Sequence, residues 1–101
     1  MERALIICRS QSTGETLAGL LRPHYEVLLD DGGLLTAAHR EVGGCRFVFC
    51  AVDDLLAAAD GDVAAGVTHC LARCRQAALV VLGSISQTRE IVAAVQAGAI
   101  N

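Results

Sequence analysis

The residues that could do chemistry in this chain sit where its apolar runs stop. Cys8-Arg9-Ser10 closes the first run and leads into Ser12-Thr-Gly-Glu-Thr16, a hydroxyl-rich loop at a helix start. Such a loop can hold an anion on backbone donors and the helix dipole, and Arg9 and the loop hydroxyls could assist a Cys8 thiolate. The plainer readings stand beside these. The loop serves equally as an N-cap, in which a side-chain oxygen satisfies an orphan backbone donor, and Cys8 continues an apolar run and suits a packed core. Asp53 and Asp54 form an acidic loop after the third run, and Gly83-Ser84 closes the last.

The remaining candidates read as structure. Cys70 and Cys74 fall on the apolar stripe of a helix near His69, and Cys45 and Cys50 are a loose pair, unlike the tight Cys-x-x-Cys spacing of a zinc site. Asp60-Gly-Asp62 precedes Val63 as a helix start whose acids favour the dipole. His24 and His39 stand alone. Neither a metal nor a cofactor is expected.

Four apolar runs alternating with four helical patterns must position these groups, the signature of a parallel α/β sheet. Residues 4–8 form a continuous apolar strand, as expected of one covered on both faces. Ser12-x-x-Glu15 predicts a capping box, Leu17, Leu20 and Leu21 the buried stripe of the following helix, and Pro23 its end. A short strand over 26–29 and a helix over 34–42 follow, the latter closed by Gly43-Gly44. The spacing predicts a third strand over 46–52. After the acidic loop, Val63, Val67, Cys70, Leu71 and Cys74 form the core stripe of a third helix. A strand over 79–82 and a helix over 86–97 complete the count. In doubly wound sheets chemistry lies at the carboxyl ends of the strands, where the strand order reverses. That principle selects residues 8–13, 51–54 and 83–86.

Composition narrows the function. The 101 residues suffice for one domain, with 53% hydrophobic and 3% aromatic residues, so Leu, Val, Ile and Ala must build the core. The net charge of −3, with eight scattered arginines and no lysine, offers no field for gripping nucleic acid. No run approaches the roughly 20 apolar residues that cross a bilayer, and the amino end lacks the pattern of an export signal. Five cysteines, odd in number and mostly inside apolar runs, suit a reducing compartment. The expected location is the cytoplasm.

The whole chain resembles a receiver domain of two-component response regulators, in element order, element lengths, and the Val-Leu-Gly-Ser and Gln-Ala-Gly-Ala runs between Leu79 and Asn101. The resemblance implies a flavodoxin-like parallel sheet with helices on both faces, here lacking the fifth strand and helix. It also implies acids after the first strand to hold Mg²⁺, an Asp ending the third strand to accept phosphate, a hydroxyl ending the fourth and a Lys ending the fifth. Such chemistry needs a hard cation with oxygen ligands and charge neutralisation at the phosphoryl group.

Position by position the chain departs from that pattern. Cys8 and Arg9 stand where acids belong, Ala51 takes the phospho-acceptor position, Ser84 or Gly83 the hydroxyl position, and no lysine exists. Asp53, two residues beyond Ala51, could serve as acceptor only through a shifted register or a bulge. The resemblance is therefore to a degenerate receiver, like those at the amino end of transcription activators, including the sigma-54-dependent class. Residues 1–101 are expected to be one such domain of a longer protein, not an enzyme, acting in signal transduction and transcription control by dimerisation or partner docking, with an effector domain downstream. The strand over 79–82 is expected to form an open edge that favours pairing between chains.

Two weaker resemblances point elsewhere. Cys8 is similar to the phosphocysteine of sugar-transport phosphocarrier domains, which implies a phosphocarrier or anion-binding module using Cys8 and the Ser12-Thr-Gly-Glu-Thr16 loop. That loop also resembles the flavodoxin phosphate loop, but lies one residue too far from its strand, in a chain with one Tyr and no Trp to stack a flavin.

Overall fold

A computed structural model describes residues 1–31, 44–74 and 76–100. The helix expected over 34–42 lies outside the described residues. Four parallel strands, β1 (Arg3–Ile7), β2 (Glu26–Asp30), β3 (Cys45–Ala51) and β4 (Ala78–Leu82), form one sheet in the order β2-β1-β3-β4. The order reverses between β1 and β3. Ile7 is level with Asp30 on one side and Cys50 on the other, while Ala51 is level with Leu82. Three strand ends therefore open onto a common rim.

Helix α1 (Gln11–Leu21) packs on β1 and β2, and α2 (Val52–Ala58), α3 (Val63–Arg73) and α4 (Thr88–Ala97) pack on the opposite face. The larger core lies under these three helices. Leu5, Ile7, Val48, Cys50, Leu79 and Val81 project from the sheet to meet Leu55, Val67, Cys70 and Ala94. Strand alternation sends Ala4 and Ile6 to the other side, where they are buried, as is Ala18 of α1, the helix that packs on β1. The aromatics collect there too: Tyr25 meets Phe47 edge-on at 5.8 Å, and Phe47 lies 6.2 Å from Phe49.

The stripe expected of the third helix holds, with Val63, Val67, Cys70 and Cys74 buried and Leu71 packed against the core. Asp62 caps it, its carboxylate accepting the Ala65 amide at 3.2 Å. Gly66 permits close approach to α2, because a Cβ there would lie 2.5 Å from the Leu55 carbonyl oxygen.

Three expectations are corrected. The first helix begins at Gln11, with Ser10 rather than Ser12 as N-cap; Ser10 Oγ accepts the Thr13 amide at 3.4 Å. Its buried positions are Gly14 and Ala18, whereas Leu20 is 69% exposed. Small residues occupy that face, and a Cβ on Gly14 would be in ordinary contact with Leu29 and Cys8, at 3.5 and 3.7 Å. The third strand stops at Ala51, and Val52, Asp53 and Asp54 open α2 instead of forming a loop. Two acids in a first turn complement the helix dipole, which explains the early switch from strand to helix.

Candidate functional site

The rim encloses a cavity of ≈610 Å³ between the ends of β1, β3 and β4 and the start of α1. It brings together every candidate that the sequence singled out for a receiver: Cys8, Arg9, Ala51, Asp53 and Ser84 all line it. Each arrives by a different route. Cys8 extends the β1–β2 ladder by donating its amide to the Asp30 carbonyl at 2.9 Å. Ala51 is the last residue of β3, and Asp53 sits in the first turn of α2. Ser84 follows β4 and caps the short 3-10 turn over Ile85–Gln87.

Two residues acquire roles here that the sequence did not assign to them. Asp54 is 5% exposed, and both its oxygens face Arg9: the Arg9 amide donates to Oδ2 at 3.2 Å, and Arg9 Nε lies 3.6 Å from Oδ1. Burial pushes the Asp54 carboxyl above the usual aspartate value, and the Arg9 amide and guanidinium only partly offset it. Gln87 is the other. Its Nε2 donates to Asp53 Oδ1 at 2.7 Å, and its Oε1 accepts the Ser84 amide at 3.0 Å. Ser84 Oγ lies 2.7 Å from Ser86 Oγ. Asp53 is thus tied to the end of β4.

A sequence signal for Gln87 existed, since Ser84-x-x-Gln87 is a capping box ahead of an apolar helix. For Asp54 none did, because its partner lies 45 residues away. Gly83 completes the joint: a Cβ there would be 2.9 Å from Gln87 Oε1 and 3.0 Å from Val52 Cγ2.

The cysteines separate by place. Cys50, Cys70 and Cys74 are buried in the larger core, where burial drives the Cys50 thiol far above its ordinary value. Cys70 and Cys74 share a side-chain hydrogen bond within one helix, which with burial pushes the Cys70 thiol up. No cluster of three or more His, Cys, Asp or Glu able to hold a metal occurs among the described residues.

The chain is similar in structure to a response regulator protein from Burkholderia pseudomallei, solved with a phosphorylated aspartic acid, a calcium ion and citrate; the TM-score is 0.66 at 21% identity. The fold is that of a receiver domain. The match covers 98% of this chain and 56% of that one, so the chain spans little more than half the length of its structural neighbour. No protein-family model matches the sequence, and no curated protein does. Among the described residues, no helix is long and apolar enough to cross a membrane.

Two carboxylates and one guanidinium line the cavity, and the residue ending β3 is an alanine.

Proposed function

We propose that this chain is a receiver-like regulatory domain that works without phosphorylation, serving signal transduction and transcription control in the cytoplasm through self-association or partner docking. The observation that carries this reading is the rim itself. Ala51 at the end of β3 has no side-chain oxygen to phosphorylate, and the buried carboxylate of Asp54 is already paired with Arg9.

The structural neighbour holds calcium and a phosphorylated aspartic acid, and the residues here do not fit such a group. A divalent ion would need oxygen ligands, yet Asp54 is engaged by Arg9, and the Arg9 guanidinium would repel a second cation. The Asp53 carboxylate is held by Gln87 in the first turn of α2 and does not occupy an acceptor position at a strand end. An anion site centred on Cys8 has weaker support: its nearest cation is paired with Asp54, and both carboxylates line the same cavity.

The test is incubation with acetyl phosphate and excess Mg²⁺, followed by intact mass measurement. No phosphoryl adduct is expected on the wild-type protein. Stoichiometric, Mg²⁺-dependent labelling of Asp53 would overturn the reading.

A further inference from the structure

Among the described residues, Asp54 and Arg9 form the one contact of the rim in which a buried charge meets its counter-charge. Burying a carboxylate is strongly unfavourable unless it is paired and hydrogen-bonded, and at 5% exposure Asp54 meets that condition, among the described residues, through Arg9. Arg9 supplies both parts of the solution, its backbone amide to Oδ2 and its guanidinium beside Oδ1. The Arg9 side chain is itself 60% exposed, and both it and Asp54 line the cavity. A metal ion approaching from the cavity would have to displace it.

We propose that the Arg9 guanidinium is the built-in counter-ion of this site: it holds the end of β1 to the first turn of α2 permanently and makes the rim indifferent to divalent cations. The proposal rests on the phosphate-free reading above and states its physical cause. Arg9 is then a positioning residue, since it acts by neutralising Asp54 and not by contacting a reactant. The charge that a bound ion would bring and remove is here covalently part of the chain. Replacing that charge with a carboxylate should leave two acids facing one another across the rim, an arrangement that takes a hard cation.

The experiment has two arms, neither containing a phosphodonor. In the first, thermal unfolding of wild type, R9D and R9D/D54N is followed with and without Mg²⁺ or Ca²⁺ at constant ionic strength. The wild-type midpoint is expected to stay in place, that of R9D to rise with either cation, and that of R9D/D54N to be insensitive again. A wild type stabilised by cations, or a folded R9D indifferent to them, would overturn the proposal.

In the second arm, urea unfolding of R9Q, D54N and R9Q/D54N forms a double-mutant cycle. The loss from R9Q in the wild-type background is expected to exceed that in the D54N background by about tenfold in the unfolding equilibrium constant. An absence of coupling overturns the proposal even if R9D does not fold. Labelling of wild type by acetyl phosphate with the coupling intact would instead overturn the functional reading and leave the ion pair standing.

Discussion

At the residue scale, the positive charge of this rim is part of the chain itself. Arg9 carries it within the chain, and Asp54 accepts it at the cost of being buried. Burial raises the Asp54 pKa, so the folded state holds that proton more tightly than the unfolded chain does. Between the ordinary aspartate value and the raised one, folding takes up a proton, and stability from this group falls as pH rises. Wild type is therefore expected to gain stability relative to D54N as pH drops from neutral toward the ordinary aspartate range. Urea midpoints of the two proteins across that window check the sign, and a gap that is constant or shrinks against wild type would be the wrong result. Asp54 could not be distinguished from Asp53 in the sequence, because adjacent acids in a first turn look alike until the helix orients one inward and the other toward Gln87.

At the element scale, the helix starts divide into those legible locally and those decided by packing. Asp62 and Ser84 cap as their spacing implies, because a cap is a contact between a side chain and a backbone group two or three residues on. At α1 several serines and threonines compete, and Ser10 wins because β1 ends three residues before it and the chain must turn there. Substituting S10A is expected to cost about 1 kcal/mol of stability, while S12A should change it by less than about 0.5 kcal/mol. Chemical denaturation of the two variants tests which serine is the cap. The α2–α3 joint depends on a missing side chain. Since a Cβ at Gly66 would collide with Leu55 backbone, G66A is expected to lose about 3 kcal/mol or more by forcing the helices apart. A near-neutral G66A in a calorimetric melt would show that the joint yields.

At the scale of the whole molecule, the two sheet faces are unequally covered among the described residues. Three helices pack over one face, while the other carries α1 alone, beside β1 and β2. Phe47, Phe49, Val80 and Leu82 are half-buried on the less covered side, and Leu20 of α1 projects beside Leu82 and Leu17. The β4 edge is partly used, since the Ile100 amide donates to the Leu79 carbonyl at 2.9 Å. Self-association is therefore expected to draw on the apolar face rather than on a bare strand edge. Sedimentation velocity should show a mass that rises with concentration for wild type and a shift toward monomer for L20E. Because Leu20 is 69% exposed, L20E should leave the melting temperature near that of wild type. Equal association by the two proteins would remove this face from consideration.

The sequence by itself determined the four strands, the α/β alternation, the core stripe of α3 and the identity of the rim residues, because each is encoded by neighbours along the chain: hydrophobic period, capping spacing and the residue that ends a run. The expectation that Ala51 and Arg9 stand where a receiver's acceptor and acid belong rests on resemblance and on register along the chain. Only the tertiary structure decided what Arg9 does there. A guanidinium after β1 reads as a bare obstacle to a metal until the fold brings Asp54, 45 residues on, against it. The same holds for Asp53, a possible acceptor in the sequence and a partner of Gln87 in three dimensions. Both pairings cross between elements far apart in the chain, and such contacts are set by how strands and helices pack, which no local pattern records.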